Sequence, residues 1–395
     1  MTKKICVYAI AKNENKFIDR WFESVKEADY VCVLDTGSTD GSFEKFLSYG
    51  IITKQKVYKN FRFDEARNDS LKLIPADTDI CVCVDIDEFF VPGWSKILRT
   101  NWQDDTGRAR YRYTWNFNPD GSEGVVFMAD KIHKFGEYIW THPVHEILTS
   151  TRKNNLKTID LPTIQLNHRA DVTKSRANYL PLLELSVKED PEDDRNMHYL
   201  AREYMFHGKY KLAIKHFLKH LNLKSATWAE ERAASYRYIA RCYKFLGLEK
   251  QEKLKNLKNN AKITEKINKN HKNNYNFNKQ IEFLHKSILE YDRSRESMFD
   301  LAVCYFEHQK YLESAVWFNQ MFKITNRELN YISSPTCWGA LPYDYLSMCY
   351  YYLSDFKNAI IAAKQAITFG SNERIQKNLQ YFLKMYDATH PLSKA

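Results

Sequence analysis

The 395-residue chain carries a formal net charge of +10, with 44% hydrophobic and 27% charged residues. That length gives room for two ordinary domains, and the apolar share excludes wholesale disorder. No run approaches the roughly 18–20 apolar residues of a membrane-spanning helix. Met1-Thr2-Lys3-Lys4 leads straight into a strand pattern with no apolar signal core, so the expected address is cytoplasmic.

In chain order, Lys4–Ile10 reads as a strand and Asn15–Glu27 as a helix with Phe17, Ile18, Trp21, Phe22 and Val25 on one face. Tyr30–Leu34 is a second strand, Ser42–Ser48 a helix and Ile51–Val57 a third strand. Asp64–Leu73 is helical and Asp79–Val84 is the fourth strand. This alternation predicts a Rossmann-like α/β domain with a mostly parallel, doubly wound sheet. From Arg108 to Ile164 the pattern turns to longer strands with turns such as Asn118-Pro119-Asp120-Gly121, read as antiparallel additions and covering loops.

Beyond about residue 172 the strands give way to helical pairs. Tyr199-Leu200-Ala201, Tyr204, Gly208, Tyr210, Ala213 and Phe217 form one repeat unit, and Asp300-Leu301-Ala302, Tyr305, Tyr311, Ala315 and Phe318 another. These lie 101 residues apart, close to three periods of about 34. Units around Tyr238 and Tyr345 complete an all-α, tetratricopeptide-like array, with Asn372–Asp387 as its cap. The expected domains are thus 1–171 and 172–395, the second carrying a Lys/Asn-rich insertion near 250–280. Helical repeats bind peptides, brace neighbours or join two copies as a homodimer.

Much of the excess positive charge sits in that insertion, where nine lysines between Lys250 and Lys279 face Glu252 and Glu265. It reads as a solvated helix face, and no nucleic-acid signature accompanies it, so nucleic acid is not favoured as a partner. None of the eight cysteines forms a CxxC pair; they read as buried free thiols.

The chemistry-bearing residues cluster at strand ends. Asp85-Ile86-Asp87-Glu88 follows the apolar run Ile80–Val84. Carboxylates two apart at the end of a buried strand repel each other, and a divalent cation is the simplest remedy. Ala11-Lys12-Asn13-Glu14 and Asp35-Thr36-Gly37-Ser38-Thr39-Asp40-Gly41 end two earlier strands, which suggests a nucleotide–metal site at the carboxyl edge of the sheet. Asp40 reads more readily as the cap of the following helix.

With Phe63-Asp64-Glu65-Ala66-Arg67-Asn68, Pro143-Val144-His145-Glu146 and Asn167-His168, these segments together resemble the family 2 glycosyltransferases of GT-A fold over most of residues 4–170. A comparable domain followed by tetratricopeptide helices occurs in the bacterial S-glycosyltransferases that modify peptides such as sublancin. The resemblance implies an inverting, metal-dependent hexosyltransferase moving a sugar from a nucleotide-sugar, UDP-linked in the first instance, to a peptide, protein or saccharide acceptor. It assigns nucleotide-sugar binding to Asn13, Glu14, Asp35, Arg67, Asp85, Lys131 and Lys134. Asp87, Asp85 and His168 would hold Mn²⁺ or Mg²⁺, Glu146 would be the general base, and His145 would orient it or meet the diphosphate. Asn68 is a weaker member. Arg169-Ala170-Asp171 stands where the family often has glycine soon after the histidine.

Simpler readings accompany several of these residues. Arg67 could pair with Asp64 or Glu65, Glu88 could be solvated, and Arg108, Arg110 and Arg112 read as one exposed sheet face. Trp115, Phe117 and Trp140 suit a core as well as a sugar platform. The rival functions are a non-catalytic nucleotide-binding scaffold and a sugar nucleotidyltransferase; the lack of a Gly-rich triphosphate loop speaks against the latter.

Overall fold

The computed structural model describes residues 2–151, 156–170, 179–258, 271–329, 331–370 and 372–389. It divides into two compact units, one of residues 1–190 with 329–333 and the other of the remainder.

The first unit begins β1 (Ile5–Ala11), α1 (Ile18–Val25), β2 (Tyr30–Asp35), α2 (Ser42–Ser48), β3 (Ile52–Gln55), α3 (Phe63–Leu71) and β4 (Ile80–Cys83). It continues with β5 (Glu88–Phe90), α4 (Trp94–Asn101), β6 (Thr106–Thr114), β7 (Val126–Lys134), β8 (Tyr138–Thr141), β9 (Ile147–Ser150), β10 (Lys157–His168) and α5 (Tyr179–Glu189). Eight strands form one sheet in the order β3-β2-β1-β4-β7-β6-β10-β5, and β8 pairs with β9 apart. β1, β2, β3 and β4 run parallel; the apolar runs of β1, β2 and β4 are those of strands covered on both faces, whereas β3 is a short, largely exposed edge strand. The strand order reverses between β1 and β4, where a doubly wound sheet opens a crevice at its carboxyl edge.

The antiparallel additions are only partly as expected. β7 runs antiparallel to β4 and β6, but β10 lies parallel to β6. The three-residue β5, hidden within the acidic motif and its sequel, pairs antiparallel with the end of β10. The unit also extends past the expected boundary at 171. Arg62 bonds Glu189 at 2.6 Å, and Phe63 meets Tyr179 ring to ring, so α5 packs with this unit rather than opening the repeats.

One face of the sheet holds a buried polar relay. Trp140 Nε1–H donates to the Tyr8 hydroxyl at 2.9 Å, and Tyr8 lies 2.9 Å from His133 Nε2. His133 Nδ1 donates to the Lys134 carbonyl at 3.1 Å. A neutral imidazole satisfies every bond in this chain, and burial pushes its pKa down to about 4.

The second unit pairs α6 (Asp194–Phe206) with α7 (Tyr210–Asn222), α8 (Ala229–Lys258) with α9 (His271–Glu290), α10 (Arg295–Glu307) with α11 (Tyr311–Met321), and α12 (Ala340–Tyr352) with α13 (Phe356–Ile367). α14 (Glu373–Thr389) follows as the expected final helix. The repeat's small residues Ala201, Ala213, Ala302 and Ala315 are buried where helices approach, with Phe217 and Phe318 filling the gaps. The Lys/Asn-rich stretch is helical as far as Lys258 and again from His271; the residues between lie outside the described set. All eight cysteines are buried and free, as expected.

Between α6, α7 and α8 the Ser235 hydroxyl sits 2.8 Å from His198 Nδ1 and 3.0 Å from His220 Nδ1. One hydroxyl carries one proton, so it donates to one ring and accepts N–H from the other. Burial, reinforced by Arg202, holds His198 well below its ordinary pKa and hence neutral. Glu231 lies 3.6 Å from His220 Nε2. Among the described residues this is the one His/Cys/Asp/Glu trio compact enough to share a metal ion, and it lies outside the strand-end site.

Two measurements check these networks. His133 is expected to be neutral when folded, so its contribution is present above the unfolded pKa of about 6.5 and is lost as pH falls toward 4. Denaturant titrations at pH 7 and pH 4.5 should show a drop, reaching roughly 3 kcal/mol across the window, that His133→Gln abolishes. Ser235→Ala should lower unfolding free energy by about 1–3 kcal/mol, because two buried ring nitrogens lose a shared partner.

Candidate active site

Three strand ends converge on the crevice. Thr36 bonds the Ala11 carbonyl through both its backbone N–H and its hydroxyl, at 2.8 and 2.9 Å, which ties the end of β2 to that of β1. Asp35 is fully buried; its Oδ1 accepts from the Gly37 and Ser38 N–H groups and from Gln55, at 2.8–3.0 Å. Gly37 adopts φ +104° here, and a Cβ would come within 3.1 Å of Val57, so the turn needs glycine. The other oxygen, Oδ2, is buried with no hydrogen-bond partner among the described residues. A buried orphaned carboxylate oxygen is costly, and it marks a place for a ligand donor.

Asn13 and Glu14 flank this turn. Asn13, in the left-handed region at φ 56°, accepts from Thr39 N–H at 2.8 Å, while its own N–H donates to Ser38. Its side chain therefore shapes the loop. The Glu14 N–H donates to the Ser42 hydroxyl at 2.9 Å, and Asp40 accepts from the Ser42 N–H at 3.0 Å, the capping role expected for it.

The centre of the site is Arg67, 4% exposed on α3. Its Nη2 donates to Asp85 at 2.8 Å, Nη1 to Cys83 Sγ at 3.0 Å, and Nε to Glu146. The indole of Trp140 lies 5.1 Å from its guanidinium carbon. The simple pairing with Asp64 or Glu65 is not formed by Arg67; Arg62 takes that place. Lys131 closes the other side, donating to Asp85 Oδ2 at 2.9 Å and lying 3.5 Å from Glu88. Burial would push the Asp85 carboxyl up, but Arg67 and Lys131 together hold it well below the usual range. Glu88, 2% exposed, is not solvated: it accepts from the Asp85 N–H at 2.9 Å and from the Tyr113 hydroxyl at 2.8 Å. Burial raises its pKa despite Lys131.

Lys134 is not part of this cluster. It lies opposite Ile80, at the start of β4, and donates to the Asp104 carbonyl at 2.8 Å. Three residues along a strand put it on the other face from Lys131 and about 10 Å farther along. Asn68 is structural in this arrangement: its side chain bonds both the N–H and the C=O of Trp140 at 2.8 Å. With the Phe63 N–H to Pro143 C=O bond, it fastens the 140–146 segment to α3 and delivers Glu146 to Arg67. His145, at φ 53°, turns its ring edge toward Tyr179, 5.7 Å away. Among the described residues, the Glu146 carboxylate accepts from Arg67 through Oε1, which leaves Oε2 available to a substrate.

Asp87 meets His168 because β5 pairs with β10: Glu88 stands opposite His168, and the Arg169 N–H donates to the Asp87 carbonyl. His168 Nδ1 lies 2.9 Å from the Trp115 carbonyl, which can only accept, so Nδ1 carries a proton. In the neutral ring the Nε2 lone pair then points to Asp87 Oδ2, 3.2 Å away. Burial opposes a charge on His168, but Asp87 outweighs it and raises the pKa. An imidazole nitrogen oriented by a backbone carbonyl beside a carboxylate is a fitting pair of ligands for a divalent cation. Asp85, the third expected ligand, is instead engaged at both oxygens by Arg67 and Lys131.

Arg108, Arg110 and Arg112 pair with Asp130, Asp160 and Glu123, as a sheet face would. Trp140 is core, whereas Trp115 is 42% exposed beside His168. Asp171, where the loop departs from the resembled pattern, lies outside the described residues. Sequence reading missed Arg20, whose Nη2 donates to the Asp87 carbonyl at 3.3 Å. Its only signal was an arginine interrupting the helix's otherwise clear apolar stripe.

A comparison with curated proteins found no match. Among solved structures, similarity is to helical repeats. A thermophilic TPR protein of Thermus thermophilus is 13% identical with a TM-score of 0.34, covering 52% of this chain and 89% of that one. MamA (residues 41 to the end) from Desulfovibrio magneticus is 9% identical with a TM-score of 0.34, covering 49% and 84%. Residues 6–159 match the family model described as glycosyl transferase family 2. The amino-terminal unit of this chain thus contains a family 2 glycosyltransferase domain, and a helical repeat unit follows it.

Proposed function

We propose that the chain is a metal-dependent, inverting glycosyltransferase using a UDP-linked hexose. The observation that carries this reading is the Asp87–His168 pair held beside the cluster of buried Arg67 with half-buried Asp85 and Lys131 at the carboxyl edge of the sheet.

Asp35 Oδ2 is an unmet acceptor suited to the imide N–H of a uracil ring or to a ribose hydroxyl. Asp85, fixed by two cations, presents the strand end to the ribose. Asp87 and His168 would hold Mn²⁺ or Mg²⁺, with phosphate oxygens and water as the remaining ligands, a pattern that needs few protein groups. When bound, the metal neutralises the charge growing on the departing diphosphate. Lys131 adds a fixed positive charge nearby. Glu146 Oε2 takes the proton of the acceptor as its nucleophile bonds to the anomeric carbon and the bond to the diphosphate oxygen breaks. Arg67 orients that carboxylate through Oε1. His145 shapes the turn that presents it. One displacement inverts the anomeric centre. The helical repeats favour a peptide or protein acceptor.

A mass-spectrometric screen of UDP- and GDP-sugars with Mn²⁺, reading donor hydrolysis and then transfer to peptides and saccharides, tests the reading. UDP-sugar turnover is expected, and Asp87→Ala should reduce it at least a hundredfold with the fold intact; full turnover in that variant with chelator present would exclude the metal role. Asp35→Asn should weaken UDP binding by about tenfold in calorimetry, in keeping with roughly 1.5 kcal/mol for a hydrogen bond to a charged group.

A further inference from the structure

Arg62, Arg67, Arg99, Arg108, Arg110 and Arg112 each reach a carboxylate in the first unit. Among the described residues, Arg20 and Arg169 do not. Both converge on the Asp87 carbonyl, Arg20 through Nη2 at 3.3 Å and Arg169 through its backbone N–H at 3.1 Å. Both guanidinium carbons also approach the ring of Phe89, at 4.7 Å and 5.8 Å, and Phe117 lies 5.6 Å from that of Arg169.

Two like charges sharing one aromatic ring repel each other. The Arg20 Nε–H is buried with no hydrogen-bond partner among the described residues, so a donor as well as a charge is left unmet. The aromatic contacts engage both guanidinium groups without using their N–H donors. Planar donors fixed in this way suit an oxyanion, which they can bind through two parallel hydrogen bonds. The two arginines adjoin Asp87, two residues beyond Asp85 in the chain.

We propose that Arg20 and Arg169 form an oxyanion-binding pair that takes a phosphate or carboxylate group of a substrate beside Asp87. The site's anion affinity stands apart from the transferase reading; only the identity of the molecule bearing the oxyanion rests on it. That bearer is either the diphosphate of the donor or an acidic group on the acceptor.

Calorimetric titration of the full-length protein with inorganic pyrophosphate, in the absence of divalent metal, tests the pair. The double variant Arg20→Gln/Arg169→Gln should bind at least tenfold more weakly. Arg169→Gln alone, at an exposed position where the fold is not at stake, should bind severalfold more weakly, and Arg169→Lys should recover part of the loss. Asp35→Asn should leave pyrophosphate affinity unchanged whether or not the site uses UDP. A parallel loss of UDP affinity in Arg169→Gln identifies the donor diphosphate as the ligand. Unchanged UDP affinity with weakened inorganic phosphate binding identifies an acidic acceptor group. Wild-type protein that binds no pyrophosphate, or an Arg169→Gln variant that binds it as the wild type does, overturns the proposal.

Discussion

The buried guanidinium of Arg67 is the interaction on which the rest of the strand-end site depends. Its three donor directions go to a carboxylate on the β4 end, a thiol within β4, and a carboxylate on the 140–146 turn. A lone buried charge is prohibitive, and removing one member of a buried pair commonly costs about 3–5 kcal/mol. α3, β4 and that turn are therefore fixed as one piece. Lys131 supplies the second cation beside Asp85. These groups are engaged with one another before any substrate arrives, so a ligand meets groups already in place rather than groups that must be reoriented.

The parallel half of the fold was legible because β1, β2 and β4 are largely buried and read as continuous apolar runs, with caps and glycines marking the turns. The helical repeats were legible from their small residues and aromatics. β5 was not, because three residues behind an acidic turn carry no periodic signal. Yet β5 sets the register that brings His168 to Asp87. The direction of β10 was equally hidden: periodicity along a strand says which face a residue occupies, and nothing about which way a neighbour runs. The domain edge was drawn too early for a related reason, since α5 shows a helical pattern, and only contacts from Arg62 and Phe63 reveal which unit it joins.

The site residues divide in the same way. Asp35, Arg67, Asp85 and Asp87 were named from motifs within single segments, and Lys131 and His168 from the resemblance; the structure brings Arg67, Asp85 and Lys131 together and sets His168 beside Asp87. Lys134 came from the same reasoning as Lys131 and fails on strand parity. Asn68, only a weaker candidate, is a fastener. Arg20 and Arg169 gave no signal as a pair because 149 positions of sequence separate them, and only the packing of Phe89 brings them together.

The way Asn68 holds Trp140 has a consequence for how this domain can change. The clamp grips main-chain groups alone, so it is indifferent to which side chains follow it. Thr141, half-buried and the first residue beyond the clamp, can therefore vary without loosening the anchor that keeps Glu146 on Arg67, whereas the buried Pro143 and Val144 are held by packing as well.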